Sequence, residues 1–407
     1  MVSTTKVPGR FSPFIVDIAL EMYQKGLLDF FMDVWRTYGD FARLQMGPIT
    51  MFVVAHPDHV RHIMVTNAQN YVKGPSYDTI RKLLLGNGLL TSTGETWRKQ
   101  RKLMAPFFSP IGIAAFDHII ISTAEMMIQR WREHAAKAQP VEMLDEMMFA
   151  TATIILKALF STESDETIAE LRSTIEKMVA FTVNRTFNPV SLPVWMPLKS
   201  HQEYRQARQK VLAYIDQLIE QRRRIPPEQW PDDLLSRLMN SRDEESGEPI
   251  SDEQLKDEAV TLFVAGHETT AQTLMFTWYL LSQHPDVANK IKFEADAALG
   301  NGRPTLDDFK NMPYTLYVIK EALRLYPASP IYARDTVADD AIDGIKIPAG
   351  SRITLVPYAT HRHPDFWELP ECFIPSRWEP QYEQKRHRYA YHPFSTGQRI
   401  CIGNNLS

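Results

Sequence analysis

The stretch "HPFSTGQRICIG", residues 392–403, places one of the chain's two cysteines, Cys401, between two glycines and two residues after an arginine. A lone cysteine is most often a small buried hydrophobe. Here Gly397 and Gly403 remove side-chain bulk on both sides, which a backbone needs where it approaches a large flat ligand. Backbone N–H groups after Cys401 can donate to a thiolate, and Arg399 can pair with an anionic group of the same ligand. The loop therefore predicts a thiolate ligand.

The number of cysteines narrows the kind of metal centre that such a thiolate can serve. A structural zinc site is disfavoured, because the chain has no second cysteine ligand close to Cys401. The C-x-x-C-H pattern for covalent haem attachment is absent from the sequence. An axial thiolate on haem iron needs only one cysteine, and it fits.

Length, composition and charge bound the class of protein. The 407 residues are 44% hydrophobic and 23% charged, which is enough to bury a large core. A net charge of −4 gives no reason to expect a nucleic acid partner. Two cysteines make no disulfide framework, and the N-terminus carries neither a signal peptide nor a spanning segment. We expect a reduced, soluble, cytoplasmic protein, with a removed N-terminal anchor left open.

The hydrophobic periodicity predicts a mostly α protein with a smaller β region. Residues 41–56 alternate around Gly47-Pro48 and predict a hairpin. Apolar residues recur at helical spacing over 112–223, interrupted by a proline-rich loop at 187–197. Strand and turn character returns over 331–358. Because both ends of the chain supply β structure, we expect a single domain over 1–407.

One predicted helix is long and buried. Ser251, followed three residues later by Gln254, fits a capping box that begins a helix reaching the Pro285 region. The middle of this helix, AVTLFVAG at 259–266, is apolar on nearly all sides. A helix that is apolar all round lies inside the protein rather than on its surface.

The cysteine loop resembles the haem-binding loop of the cytochrome P450 superfamily, spacing for spacing, at Phe394, Gly397, Arg399, Cys401 and Gly403. The resemblance implies the fold of that superfamily, with the long central helix over a buried haem. It implies haem b as the cofactor and Cys401 as the axial ligand of its iron. The other marks of the superfamily follow in order upstream.

The first of these marks is an E-x-x-R pair. Glu321 and Arg324, in KEALRLYP, lie three residues apart and so face the same way on a helix. Arg377, in FIPSRW, resembles the residue that completes a buried structural triad with them.

The second mark is AGHETT, residues 265–270, in the long helix. A zinc protease motif H-E-x-x-H is excluded, because position 271 is Ala. The segment resembles the oxygen-activation motif of the superfamily. In that role Gly266 leaves room over the haem, Thr269 offers a hydroxyl that relays protons, and Glu268 supplies them. The threonine hydroxyl would also let the helix bulge.

The third mark is a set of basic residues. Trp97 and Arg101, in WRKQRK, resemble the W-x-x-x-R contact to a haem propionate. Arg334 resembles a second propionate arginine, and His392 is a further candidate contact. Other basic residues near Trp97 lie, on the family pattern, where a separate redox partner (a ferredoxin, flavodoxin or reductase) would dock by charge steering: Arg98, Lys99 and Lys102.

The resemblance implies a haem-thiolate monooxygenase that takes dioxygen and two external electrons to hydroxylate or epoxidise an apolar small molecule. Fatty acids, terpenoids and steroids all stay open as substrates. The alternatives are a peroxide-driven oxygenase or an isomerase on the same fold, and a non-catalytic haem protein that binds a ligand. The intact Glu268-Thr269 pair argues against the peroxide-driven alternative, since such enzymes can dispense with a proton relay.

Two segments resemble the superfamily's substrate-facing parts. Residues 73–90 fall where a pocket-lining loop is expected, and leucines at 83–85 indicate an apolar ligand. Arg81 and Lys82 are interpreted as solvated surface, with a carboxylate anchor as the alternative. Residues 189–197 resemble a cover over the substrate mouth, for which membrane contact is left open. The superfamily pattern continues beyond the cysteine loop, so we expect the C-terminal part of the usual fold to be missing after Ser407.

Overall fold

The structure is a computed structural model that describes residues 7–187, 192–242, 247–300, 302–305 and 307–405. Contacts divide the chain into two compact units, each drawn from separated stretches of sequence. Unit 1 comprises Met1–Asp78, Phe187–Ser191 and Pro313–Cys401, and unit 2 comprises Thr79–Thr186, Leu192–Met312 and Ile402–Ser407. The single haem domain over 1–407 stays a prediction.

Helices make up most of the described chain, as the periodicity predicts. Short 3₁₀ and π turns lie between them. The α-helices, in chain order, are α1 (Ile15–Lys25), α2 (Leu27–Tyr38), α3 (Pro57–Arg61), α4 (Asp78–Ile80), α5 (Gly94–Met104), α6 (Pro110–Ala114), α7 (Asp117–Ala136), α8 (Met143–Phe160), α9 (Asp165–Phe187), α10 (Lys199–Arg223), α11 (Leu234–Asn240), α12 (Asp252–Gln283), α13 (Pro285–Leu299), α14 (Pro313–Leu325), α15 (Pro357–Thr360) and α16 (Pro380–Glu383).

The strands belong to unit 1 and come from both ends of the chain. They are β1 (Gly9–Ser12), β2 (Phe41–Met46), β3 (Ile49–Val54), β4 (Tyr71–Val72), β5 (Tyr332–Thr336), β6 (Asp340–Ile342), β7 (Ile345–Ile347) and β8 (Arg352–Leu355). Six form one sheet in the order β1-β2-β3-β8-β5-β4, and β6 pairs with β7. The hairpin predicted over 41–56 is confirmed as β2 and β3, which are antiparallel with Met46 opposite Ile49.

The core of unit 1 lies on both faces of this sheet. Alternate residues of β2 and β3 point to opposite faces, so each face receives its own set of apolar side chains. Leu44 and Val53 pack with α1 and α2 on one face. Phe52 and Val54 pack with α3 and the β6–β7 hairpin on the other. The sheet is therefore buried between two apolar layers.

The core of unit 2 is built around α12. Ser251 caps the helix by accepting a hydrogen bond from the N–H of Gln254 at 3.2 Å, as predicted. The reciprocal bond of a capping box is replaced, because the Gln254 side chain instead bonds to Glu258. Apolar residues of the helix pack against α8, α9, α10 and α11, which confirms its predicted burial.

None of the helices in the described stretches has the length and apolar character that crossing a bilayer requires.

One carboxylate of the β6–β7 hairpin, Asp340, bonds to three side chains from elsewhere in unit 1. Asp340 Oδ2 accepts hydrogen bonds from Tyr71 Oη at 2.5 Å, from Asn67 Nδ2 at 2.9 Å and from the ring of His62 at 2.8 Å. Burial alone would raise the pKa of Asp340, but these bonds and one from the N–H of Ala341 outweigh it and lower the pKa to about 2. The charged form is therefore stabilised by folding.

We expect Asp340→Asn to destabilise the protein by about 2 kcal/mol near neutral pH, from a pKa lowered from 3.8 to about 2. A lowered pKa stabilises the fold above the ordinary value, so the contribution is lost as pH falls from about 4 to about 2. Urea unfolding of the wild type and the variant at pH 6 and at pH 3 measures this. Asp339→Asn, at an exposed neighbour, serves as the control. An equal difference at the two pH values would contradict the assignment.

Candidate active site

The cysteine loop of unit 1 is fixed by its own backbone. The N–H of Cys401 donates to the carbonyl of Phe394 at 2.9 Å, and the N–H of Ile400 donates to the carbonyl of Gly397 at 3.2 Å. No disulfide joins Cys401 to the other cysteine, Cys372. The thiol of Cys401 is exposed, which leaves it accessible to a ligand.

The structure shows a steric reason for glycine at position 397. Its φ is +68°, a left-handed conformation that favours glycine. A Cβ placed there would lie 2.0 Å from the carbonyl oxygen of Met64. The glycine is thus required by the close approach of the loop to the segment around Met64. Roles for Gly397 and Gly403 in making room for a flat ligand stay predictions.

Buried positive charge surrounds Cys401 within unit 1. Arg334, on β5, is 2% exposed, and its guanidinium donates to the carbonyl of Ala333 at 2.7 Å. Lys73, just after β4, is 8% exposed. Burial lowers the pKa of Lys73 well below its ordinary value. The charges of Arg334 and Arg399 lower it further, while the negative charge of Cys401 opposes them.

His392 presents a buried nitrogen to the same unit. The residue is 2% exposed, and its Nδ1 lies 3.2 Å from the hydroxyl of Tyr332. When Tyr332 donates to Nδ1, the ring proton lies on Nε2. Nε2 is buried and has no hydrogen-bond partner among the described residues. Burial lowers the pKa of His392 to about 4, so the ring is neutral. A buried donor of this kind calls for an acceptor.

These residues fit a haem, because its two carboxylates would supply the missing acceptor and compensate the buried cations. Arg334, Arg399 and His392 were predicted for this role. Lys73 was not, since a single lysine between a short strand and a turn carries no sequence signal of its own. Its burial beside two arginines is visible only in the structure.

The predicted triad is formed, also within unit 1. Glu321 and Arg324 on α14 are fully buried and pair through two bonds of 2.9 and 2.8 Å. Arg377 Nε donates to the Glu321 carboxylate at 3.0 Å, as do the indole of Trp378 and the N–H of Ile374. Arg324 donates further to three carbonyls of the chain, those of His361, Pro370 and Cys372. The triad therefore fixes the turns that precede the cysteine loop.

In unit 2, the candidate site residues of helix α5 differ in their exposure. Trp97 and Arg101, four residues apart, are half-buried, and Trp97 packs against the apolar core of the unit. The three residues predicted to meet a redox partner are exposed: Arg98, Lys99 and Lys102. The propionate contacts of Trp97 and Arg101 stay predictions.

The AGHETT motif lies on α12, which is α-helical without interruption from Asp252 to Gln283. The expected bulge at Thr269 is therefore wrong for this structure. The Thr269 hydroxyl donates to the carbonyl of Ala265 at 2.6 Å, and the helix keeps its regular bonds beside it. A Cβ at Gly266 would lie 3.1 Å from Cδ1 of Ile155, so this glycine lets α8 approach α12 closely. Its role over a haem stays a prediction.

The two ionisable residues of the motif have different surroundings. His267 is buried with Nε2 3.1 Å from the carbonyl of Met148, and burial lowers its pKa to about 4. It is thus a structural histidine. Glu268 is half-buried beside Gln272, whose amide donates to it at 3.2 Å. Burial, and then repulsion from Glu176, raise the pKa of Glu268. A carboxyl of raised pKa suits proton transfer near neutral pH.

A family model described as Cytochrome P450 matches residues 8–407. The chain belongs to the cytochrome P450 family. The family binds haem and its characterised relatives are monooxygenases, so the chain is an oxidoreductase with a haem cofactor.

Two relatives from Streptomyces melanosporofaciens are similar along most of this cytochrome P450. Cyclooctat-9-en-7-ol 5-monooxygenase is 33% identical over 392 residues, covering 94% of this chain and 84% of the relative. Cyclooctatin synthase is 31% identical over 368 residues, covering 90% and 79%. Among solved structures, the cyanobacterial CYP120A1 with retinoic acid bound gives a TM-score of 0.85 at 25% identity, covering 99% of this chain and 89% of that one. The mostly α fold with a smaller β region is thereby confirmed.

Proposed function

We propose that this cytochrome P450 uses dioxygen and two electrons from a separate redox partner to hydroxylate or epoxidise an apolar terpenoid. The observation that carries the proposal is the unit 1 cluster of an accessible Cys401 with buried Lys73 and Arg334. Haem held by a cysteine thiolate supplies the oxygen-activating chemistry, since the thiolate pushes electron density onto the iron and favours O–O cleavage. The chain supplies orientation, protons and the exclusion of water.

Unit 2 supplies the proton-transfer groups. Burial and the charge of Glu176 raise the pKa of Glu268, which favours its use as a proton donor to a neighbouring group. Thr269 follows on the same helix, and its hydroxyl can pass a proton once it leaves the carbonyl of Ala265. The intact pair favours a dioxygen-using enzyme over the peroxide-driven alternative, which needs no relay.

The substrate class rests on the comparisons and on one segment. A relative is named for a reaction on cyclooctat-9-en-7-ol, and a similar structure holds retinoic acid. Leu83 and Leu84 are partly buried against the apolar core of unit 2, where an apolar ligand would be accommodated. We therefore place terpenoids ahead of fatty acids and steroids.

The exposed basic set on α5 supports docking of an acidic donor protein. Arg98 is engaged by Glu95 at 3.1 Å, and Lys99 and Lys102 add two further exposed positive charges. Charge complementarity of this kind raises association rates at low salt. A ferredoxin, flavodoxin or reductase fits this requirement.

The proposal is tested by titrating the haem-loaded protein with retinoic acid, cyclic diterpene alcohols, fatty acids and steroids. We expect a low-to-high-spin shift with the terpenoids. Turnover of the best ligand is then compared with a ferredoxin system under oxygen and with hydrogen peroxide alone. Product with peroxide but none with electrons and oxygen would favour the peroxide-driven alternative.

Thr269→Ala should reduce product formation by on the order of 100-fold while electron consumption continues, because the proton relay is lost. The measurement is product formed per electron pair consumed. Thr269→Ser keeps the hydroxyl and should restore coupling. Thr273→Ala is a matched control, since Thr273 makes the same kind of bond to the carbonyl of Thr269 one turn along. Unchanged coupling in Thr269→Ala would remove Thr269 from the relay.

A further inference from the structure

Two neighbouring carboxylates of α12 hold the backbone of the segment Gly86–Thr91 in unit 2. Asp257 accepts from the N–H of Asn87 at 2.7 Å. Glu258 accepts from the N–H of Leu89 at 2.9 Å. Neither bond involves a side chain of the segment, so the two carboxylates hold its backbone directly.

The segment lies directly on the helix. Gly86 has φ +54°, and a Cβ there would lie 1.9 Å from Oδ1 of Asp257. A Cβ at Gly88 would lie 2.1 Å from Oγ1 of Thr261. Only glycine fits at either position, so the carboxylates and the segment are in close contact.

Glu258 is a buried acid, and none of the cations in the described stretches is bonded to it. The side chain is fully buried, and its second oxygen accepts from the amide of Gln254 at 2.8 Å. Burial raises the pKa of Glu258, the two hydrogen bonds lower it and the charge of Asp257 raises it, and the net result is a pKa of about 7. Burial raises the pKa of Asp257, and the bond from the N–H of Asn87 lowers it. Among nearby charges on α12 and α10, Glu253 raises this pKa and Arg208 and Lys256 lower it. Helix α5 contributes the neutral amide of Gln100, which donates to the carbonyl of Asn87 at 2.8 Å.

The rest of the loop is also held through its backbone. The hydroxyl of Tyr204, on α10, donates to the carbonyl of Leu83, and its ring stacks on Phe181 with centroids 4.4 Å apart. Arg81 donates to the carbonyl of Thr91 at 2.7 Å. The residues Arg81–Leu85 form a π turn, a wider turn than the α-helix. The side chains of Leu83 and Leu84 are partly buried against the apolar core of unit 2.

We propose that Glu258 is a positioning residue whose protonation sets how tightly the segment Arg81–Thr91 is held, and with it the access of an apolar ligand to the pocket. The second half of this statement rests on the proposed function, since it takes the leucine-bearing segment as part of the substrate pocket. The first half concerns the segment alone.

The direction of the pH effect follows from the thermodynamic link between the protonation of Glu258 and the stability of the held segment. We call the segment closed when it is bonded to α12 and Glu258 is buried. The pKa of the Glu258 carboxyl is 4.5 when exposed and about 7 when buried, so protonation of Glu258 stabilises the closed state. The closed state is most stable below pH 4.5 and loses that stability as pH rises to about 7. Gln254 suits both forms, because its amide can turn its oxygen toward a protonated Glu258. The segment should thus loosen toward neutral pH.

Hydrogen–deuterium exchange of the haem-loaded protein tests the first half, without a ligand. Exchange of the Leu89 amide, corrected for its intrinsic rate, should lose up to about 40-fold of protection between pH 5 and pH 7. Glu258→Gln, which mimics the protonated form, should stay protected at both pH values. Glu220→Gln, at an exposed acid near the end of α10, should behave as the wild type.

Asp257→Asn provides a second variant. Removing the charge of Asp257 should lower the pKa of the buried Glu258, so that protection falls by a smaller factor between pH 5 and pH 7 and stops falling at a lower pH. If Glu258→Gln fails to fold, the pH profiles of Leu89 amide exchange in the wild type and in Asp257→Asn still test the proposal. A flat wild-type profile, or an identical profile in Asp257→Asn, would overturn the proposal.

The second half is tested with a bulky triazole that ligates haem iron and does not titrate in this pH range. Its association rate should rise with pH in the wild type and stay low in Glu258→Gln. A rate independent of pH, with exchange that does depend on it, would overturn the role in access. Failure of the triazole to perturb the haem spectrum, with the exchange result intact, would count against the proposed function and leave the positioning role standing.

Discussion

Cys401→Ser should abolish the thiolate signature, that is, the long-wavelength band of the reduced carbon monoxide complex. A serine hydroxyl is far less acidic than a thiol, and it cannot supply the electron density that favours O–O cleavage. Monooxygenase activity should fall by on the order of 10³-fold or more, a barrier increase of about 4 kcal/mol. The backbone bond from residue 401 to the carbonyl of Phe394 is untouched by the change, so the loop should keep its shape.

The second cysteine gives a matched control for this experiment. Cys372 is also exposed and outside any disulfide, so Cys372→Ser should leave the band and the activity unchanged. Haem content measured after extraction separates loss of ligand from loss of cofactor. A normal band in Cys401→Ser would reject Cys401 as the axial ligand.

Glu321→Ala should be the most destabilising single substitution in unit 1. The carboxylate accepts hydrogen bonds from both arginines of the triad and from Trp378 and Ile374. Removing it leaves the fully buried Arg324 without its counter-charge, which costs about 3–5 kcal/mol. We expect a large loss in the free energy of unfolding and a low yield of haem-loaded protein, measured by denaturant titration and by haem absorbance.

The neighbouring residue of the same helix offers a control for Glu321→Ala. Lys320 pairs with Glu383 at 2.9 Å, but both side chains are partly exposed. Glu383→Gln should therefore cost less than about 1 kcal/mol. If Glu321→Ala also lowered the free energy of unfolding by less than about 1 kcal/mol, the triad would contribute little to the stability of the fold.

Local patterns predicted the parts of this molecule that depend on neighbouring residues. The pair Glu321 and Arg324 follows from helical spacing, and the Ser251 cap follows from its position before an apolar run. The third triad member, Arg377, lies more than 50 residues away, and only the family resemblance placed it. Spacing carries no information about such long-range contacts.

Three features lay beyond sequence reasoning because tertiary packing decides them. Lys73 is surrounded by basic residues that come from distant strands and turns. Glu258 directly precedes the apolar run that predicts burial of the helix, but the group that donates a hydrogen bond to this buried acid, the N–H of Leu89, is far away in the sequence. The close approach of Gly397 to the carbonyl of Met64, which by itself requires glycine, is visible only in the structure.

The sheet of unit 1 has a consequence for synthesis of the chain. Strand β3 pairs in parallel with β8, roughly 300 residues later, with Met51 opposite Arg352. At about 5–20 residues per second, the ribosome needs about 15–60 s to deliver the partner strand. During that interval the edge of β3 that will pair with β8 lacks its partner strand, and it is open to pairing with other nascent chains. The yield of this protein in cells should therefore depend on chaperone capacity and translation speed as much as on the stability of the finished fold.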